Sequence, residues 1–293
     1  LNTIDLTWLN TAVNAALPLS CKDKGIFFYL KKYPGIIYRK VKNRETKAII
    51  YQGKSYFVKV HEGVGWKEIF KNLLRGRLPV LGATLEWEAI LRCQQAKILT
   101  TPLVGYGKWG ILNKQCSFIL TRDLKETLSL ETLGQAWEVN PPLFTVKRQI
   151  IRELAKTARL FHQQKLIHRD FYLCHFLVPQ AVLSAEKLLP TLPIYIIDLH
   201  RAKIKRFFRT TLLVKDLGGL LFSSLDFSLG NRDYLYFIKH YERSNLKEAL
   251  KKYAFWNKVI NRAKRLYYRE HGCCSQRTVS FRFNDMLKAR RVY

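Results

Sequence analysis

An α+β fold is predicted, with a β-rich N-terminal half holding one embedded helix and a helix-rich C-terminal half. Three observations predict it. Up to about residue 125 the apolar residues come in short bursts broken by Gly, Pro, Asn and charged turns. Beyond that point they recur at helical spacing. The chain, 293 residues with 48% hydrophobic content, is long enough for one large domain or two modest ones with a real core. We place the division at 1–124 and 125–293, and a cleft between the halves is the natural ligand site.

The elements follow in order. The stretch "LTWLNTAVNAALPLSC" is threaded with Asn and Thr and has no basic residue before it, which does not suit a signal peptide. It also falls short of the roughly 20 apolar residues of a membrane span. A soluble or peripheral protein is expected. Between residues 26 and 60, "IFFYL", "IIYRKV", "KAIIY" and "SYFVKV" read as an antiparallel sheet. A basic, glycine-punctuated segment, "HEGVGWKEIFKNLLRGRLPVLG", leads into "ATLEWEAILRCQQA", where Leu85, Ala89, Leu91 and Cys93 sit among helix formers. Two more strands are expected at "PLVGYG" and "CSFILT".

In the second half, "VKRQIIRELAKTARLFHQQ" has apolar residues at 150, 151, 154, 158 and 161, one face of a helix. It runs into "LIHRDFYLCHFLV". A buried strand "PIYIIDL" comes next, then helical segments at 212 to 225, 231 to 242 and 245 to 269. The last is amphipathic, with Leu246, Leu250, Tyr253, Trp256, Ile260 and Tyr267 on one side and Lys and Arg over much of the rest. It reads either as a helix packed on the lower half or as a membrane-surface helix.

Lys and Arg total 51 against 22 acidic residues, a formal charge of +29, far more than solubility needs. An anionic partner is implied: nucleic acid, a membrane surface, a phosphorylated glycolipid or an acidic protein. The six cysteines form no CxxC pair and no even framework, so neither a structural zinc site nor a disulfide scaffold is suggested, and a reducing cytoplasm fits best.

ATP-dependent phosphoryl transfer needs a cation on the phosphates, a carboxylate to orient that cation, a base near the acceptor hydroxyl and a metal-binding group. The sequence offers each in a consistent order. Lys59 ends the strand "SYFVKV", where its ammonium can reach a cleft. Glu86 on the following helix can pair with it, as can Glu88 or Glu68. Positions two apart on a helix face away from each other, so at most one of 86 and 88 does so. Asp170 stands in the triplet His168, Arg169, Asp170 after a helix, and Asp198 ends the apolar strand, where an open terminus can present a carboxylate to a metal. Alone, each has a plain structural reading: a solvated loop pair, a surface lysine, a strand cap. Their order supplies the evidence. His162 and His168 read as structural, closing the helix and bracing the loop, while His61 and His200 are open to lining the site.

"FVKV", "LEWEAI", "HRDFYLCHFLV" and "IDLHRAK", in this order, resemble the lipopolysaccharide kinase family of Gram-negative bacteria (WaaP/RfaP type). The segments "GVGWKEIFKNLLRGRLPVLGA" and "DLGGLLFSS" are similar too, and the resemblance covers roughly residues 55 to 240. It implies a bilobal, protein-kinase-like fold, with 1–124 a nucleotide-binding lobe and 125–293 a catalytic and acceptor-binding lobe. It implies ATP and Mg²⁺, and transfer of phosphate to an inner-core heptose. It makes Lys59 the phosphate-binding lysine, selects Glu86 as its partner, makes Asp170 the base and Asp198 the metal ligand, and groups Arg169 and His175 with Asp170. His175 stands where a protein kinase has asparagine, and the resemblance implies histidine there. Because Mg²⁺ prefers oxygen ligands, His175 is expected to position Asp170 or a metal-bound water instead of binding the metal.

Two departures from general kinases follow. No glycine-rich phosphate loop is visible, and the nearest turn carries Lys42, Asn43 and Arg44. Leu199 and His200 follow Asp198 with no glycine, which argues against a regulatory backbone flip and for constitutive activity. The excess of cations has a reason if the acceptor is an acidic glycolipid, bound by a peripheral protein at the cytoplasmic, anionic face of the inner membrane. Rival readings are a kinase of the same fold acting on tyrosine or another sugar, a nucleic-acid-binding protein, and a noncatalytic module recruiting an acidic carrier protein. The nucleic-acid reading leaves the Lys59, Asp170 and Asp198 series unexplained.

Overall fold

The computed structural model describes residues 3–15, 18–22, 24–41, 43–63, 82–111, 114–206 and 209–275. It divides into two compact units: Leu1–Gln94 with Thr100–Lys125 and Asp198–Arg201, and Gln95–Leu99 with Glu126–Ile197 and Ala202–Tyr293.

In chain order the first unit contains α1 (Thr3–Asn14), β1 (Leu19–Cys21), α2 (Lys24–Lys32), β2 (Ile36–Val41), β3 (Arg44–Tyr51), β4 (Lys54–His61), α3 (Thr84–Gln95), β5 (Leu103–Trp109) and β6 (Cys116–Arg122). The strands form one sheet in the order β1-β5-β6-β4-β3-β2. The β1–β5 pair is parallel and the others are antiparallel. Alternation along each strand sends Ile49 and Tyr51 of β3, Tyr56, Val58 and Val60 of β4, and Phe118 and Leu120 of β6 into one core with Leu9 and Val13 of α1 and Ile26, Phe27 and Leu30 of α2. Lys59 and His61 alternate with those β4 residues and so turn to the other face.

One expected strand is a helix. "IFFYL" lies inside α2, burying Ile26, Phe27, Tyr29 and Leu30 while Phe28 stays exposed. That spacing is a helical stripe, and Lys31 and Lys32 suit the negative end of the helix dipole. The burial available on the sheet outweighs the β-preference of the aromatic residues. With α1, the unit thus carries two helices beyond the one expected between its strands, which is α3. The segment "VGWKEIFKNLLRGRLPVL", residues 64–81, and Glu68 within it lie outside the described residues, as does Lys42.

The second unit contains β7 (Thr127–Ser129), α4 (Leu130–Val139), α5 (Phe144–Gln163), β8 (Leu166–Ile167), β9 (Phe176–Pro179), β10 (Tyr195–Ile196), β11 (Lys203–Ile204), α6 (Thr210–Phe222), α7 (Asn231–Glu242), α8 (Leu246–Leu250) and α9 (Tyr253–His271). Its strands form two small sheets, β10-β9-β7 and β11-β8. Ile150, Ile151, Leu154, Ala158 and Phe161 of α5 are all buried, as their spacing required. The expected strand "PIYIIDL" shrinks to Tyr195 and Ile196. Pro193 has no N–H to donate to a ladder, and Asp198 at φ +59° turns the chain out of the extended region.

The long C-terminal amphipathic run breaks at Lys251 and Lys252 into α8 and α9. Trp256, Val259, Ile260, Ala263 and Leu266 of α9 are buried. A side chain at Gly218 of α6 would strike Arg262 of α9, with its Cβ 2.5 Å from Arg262 Cγ, so the two helices cross closely. The apolar face of α9 is therefore packed against protein, the first of the two readings of that run. Among the described residues no helix is long and apolar enough to cross a membrane.

Candidate active site

Lys59 sits on β4 between Thr46 of β3 and Ile119 of β6. Its Nζ donates to Glu86 Oε1 at 2.6 Å and to Asp198 Oδ1 at 3.3 Å. Glu86 is in the first turn of α3, which is tied to the sheet by Ala83 N donating to Ser117 Oγ, by the Thr84 and Tyr106 hydroxyls at 2.7 Å, and by Trp87 stacked on Tyr106. Glu86 is buried and Glu88 is exposed, which settles which of the two meets the lysine. Burial alone would lower the Lys59 pKa. The charges of Glu86 and then Asp198, with their hydrogen bonds, reverse the balance and raise it above the ordinary lysine value.

Asp198 also accepts a 2.7 Å hydrogen bond from His200 Nδ1, so its Oδ1 is held from two sides. Lys59, His61, Asp198 and His200 line one cavity of about 230 Å³ with Arg39 and Arg44 of the β2–β3 hairpin. Thr46 of β3 lines it too. Burial first, then the charges of Arg44, Lys59 and His200, bring His61 down to about 3, so its imidazole is neutral at ordinary pH. Among the described residues no three His, Cys, Asp or Glu side chains gather into a ready-made metal cage. Mg²⁺ does not need one, because it commonly takes one or two carboxylates and completes its shell with water and substrate phosphate. The oxygen donor of Asp198, facing the cavity, fits that requirement.

Asp170, Arg169 and His175 belong to the second unit. Their loop is fixed from beneath by Asp216 of α6, whose Oδ2 accepts from His168 N at 2.7 Å and whose Oδ1 accepts from Arg169 N at 3.0 Å. Asp216 is 1% exposed. Arg169 is held at φ +77°, a conformation a long side chain rarely adopts and one that costs about 1–3 kcal/mol. The paired Asp216 bonds offset that strain. Buried His168 places both ring nitrogens: Nε2 donates to the Ile197 carbonyl at 2.9 Å, and Nδ1 accepts from Asp170 N at 3.3 Å. The ring is thus the neutral Nε2–H tautomer, and it stacks on His175 with centroids 5.4 Å apart. His175 Nδ1 donates to the Asp170 carbonyl at 2.7 Å. His162 bonds through Nδ1 to the Tyr241 hydroxyl at 2.9 Å, deep in the helical core.

Sequence reasoning did not single out Asp216, and it left open whether His200 lines the site, which it does. Asp216 lies in "DLGGLLF", where a helix's one acid at the head of an apolar run was the available signal. Only coordinates reveal the bond from His200 to Asp198.

The model of the lipopolysaccharide kinase (Kdo/WaaP) family matches residues 29–241. The chain belongs to this family. It is 39% identical over 241 residues to the lipopolysaccharide core heptose(I) kinase WaaP of Pseudomonas aeruginosa, covering 80% of this chain and 88% of that protein. To the enzyme of the same name from Escherichia coli K12 it is 42% identical over 231 residues, 78% of this chain and 86% of the relative. A solved structure, WaaP in complex with acyl carrier protein, aligns with a TM-score of 0.69 at 32% identity over 82% of this chain and 92% of that one. The mixed α+β architecture, a sheet-bearing N-terminal part and a helical C-terminal part, is thus that of a WaaP-type kinase.

Proposed function

We propose that this protein is an ATP-dependent kinase that phosphorylates an inner-core heptose of lipopolysaccharide. The observation that carries it is Lys59 held charged between Glu86 and Asp198 at the wall of one cavity. The WaaP relatives, at about 40% identity over most of the chain, name the reaction class.

In this reading the first unit binds nucleotide and the second supplies the base and the acceptor surface. Lys59 places its charge on the nucleotide phosphates, and Glu86 keeps the ammonium aimed. Mg²⁺ held by Asp198 would neutralise charge on the phosphates and orient them. Asp170 takes the proton of the heptose hydroxyl as the sugar oxygen bonds to the γ-phosphorus. The bond from that phosphorus to the β–γ bridging oxygen breaks, and ADP carries away the electron pair. His175, anchored on the Asp170 carbonyl, and Arg169, anchored on Asp216, hold the backbone from which the base projects.

The charge of +29 suits two further partners: the anionic inner face of the inner membrane, where the acceptor is modified in the cytoplasm, and an acidic carrier protein. The complex of a WaaP with acyl carrier protein supports the second.

The test is transfer of labelled γ-phosphate from Mg-ATP to lipopolysaccharide lacking core phosphate. Label should appear on the core sugar and vanish with Asp170→Ala, while that variant keeps its fold by circular dichroism. Binding to polyanions that ignores ATP, with no label transferred, would defeat the reading.

A further inference from the structure

The β2–β3 hairpin ends at the cavity, and between Gly35 and Gly53 the chain has no glycine. A glycine-rich loop at such a place lets backbone N–H groups approach phosphate closely. Here the strand register builds something else. Arg39 of β2, Thr46 of β3 and Lys59 of β4 lie in one cross-strand row, and Val41, Arg44 and His61 lie in the next. All six line the cavity. Arg39 and Arg44 are diagonal neighbours across adjacent strands, an arrangement that costs free energy between like charges unless an anion lies between them.

Neither arginine has a carboxylate within ion-pairing distance among the described residues. The acids around them are occupied: Glu45 pairs with Lys40 and Lys47, while Glu86 and Asp198 pair with Lys59. Arg44 is exposed at the rim, yet partial loss of solvent there lowers its pKa and Arg39 lowers it further, against the opposing pull of Glu86 and Asp198. The hairpin tip is fastened by Asn43, whose Nδ2 donates to the Gly63 carbonyl at 2.7 Å and whose carbonyl accepts from Glu62 N at 2.7 Å. The two guanidinium groups are therefore set on a tied frame.

We infer that Arg44, with Arg39 beside it, binds the polyphosphate of the nucleotide through guanidinium side chains, in place of a glycine-rich backbone cradle. A guanidinium offers a planar fork of donors matched to phosphate oxygens, and it reaches several ångströms from the strand, so close backbone approach is not needed. This rests on the kinase reading and adds to it the specificity for a triphosphate over a monophosphate.

The experiment is calorimetric titration of the intact chain with ATP, ADP and AMP in Mg²⁺ buffer, for wild type, Arg44→Ala, Arg44→Lys and Arg39→Ala. Wild type should bind ATP more tightly than AMP. Arg44→Ala should weaken ATP by about tenfold or more while AMP stays within about twofold, and Arg44→Lys should recover little, because an ammonium cannot offer the fork. Arg39→Ala should show the same pattern with a smaller loss. ATP binding unchanged in Arg44→Ala, or ATP and AMP weakened alike, overturns this inference and leaves the kinase reading standing. A wild-type chain that binds no nucleotide overturns both.

Discussion

Lys59 keeps its charge because two carboxylates outweigh its burial, and the dependence runs both ways. Remove the ammonium and Glu86, with 4% of its side chain exposed and Oε2 already without a hydrogen-bond partner among the described residues, becomes an uncompensated buried anion. Lys59→Ala should therefore cost about 2 kcal/mol of stability, less than the roughly 3–5 kcal/mol of a fully buried broken pair because Lys59 is partly exposed. Lys59→Ala combined with Glu86→Gln should recover part of that loss in urea denaturation, whereas additive losses would show that the pair is not coupled. His61 supplies a second test. Its folded pKa of about 3 lies below the ordinary 6.5, so its contribution to stability is complete above pH 6.5 and is lost as pH falls through the folded value. In His61→Asn the stability should decline less steeply over that window, measured as one proton fewer taken up on unfolding. The order of Lys59, Asp170 and Asp198 was readable in the sequence. The choice of Glu86 over Glu88 needed the family pattern until the burial of one and exposure of the other gave a physical reason.

At the scale of elements, α6 joins the loop to the helical core. Its Asp216 holds two backbone N–H groups of the loop, and its Gly218, two residues on, admits α9. Asp216→Asn keeps the size but supplies one acceptor oxygen where two are used, leaving a buried donor unmet at a cost of about 1–3 kcal/mol. The expected outcome is a lower kcat with nucleotide affinity retained, read by steady-state kinetics beside calorimetry. Gly218→Val should lower stability by about 1–3 kcal/mol through overpacking against Arg262, seen as a reduced Tm. The helices of this unit were legible because 3.6-residue spacing persists for several turns, as at Ile150, Leu154, Ala158 and Phe161. "IFFYL" was not legible as a helix, since five residues carry too little periodicity to outweigh their aromatic β-preference. "PIYIIDL" was too long as a strand because nothing local announces the left-handed backbone of Asp198.

For the whole molecule, the charge of +29 makes binding to anionic surfaces a matter of ionic strength. Vesicles containing anionic lipid should retain the protein at low salt and release it as the Debye length contracts from about 10 Å at 0.1 M towards about 3 Å at 1 M. Neutral vesicles should not retain it. Retention indifferent to salt would point instead to insertion of apolar surface. Composition gives the excess of cations directly, since no packing argument is needed to count them, but it leaves nucleic acid, membrane, glycolipid and acidic protein all open as partners. The positions that receive the charge, such as Arg39 and Arg44 at the cavity rim, depended on strand register, which one bulge between Ile37 and Arg39 resets.

The short turn Leu199–Arg201 has a consequence for inhibitor chemistry. Leu199 is 1% exposed, and His200 is bonded to Asp198. Swinging this segment outward would expose a leucine and break a charged hydrogen bond, a cost of about 3 kcal/mol or more, so the displaced form is populated below about one part in a hundred. Compounds that gain selectivity by trapping a displaced segment would have almost nothing to trap. Productive leads would be anionic molecules that fit the cavity as it stands, with a carboxylate or phosphonate directed at the arginine pair.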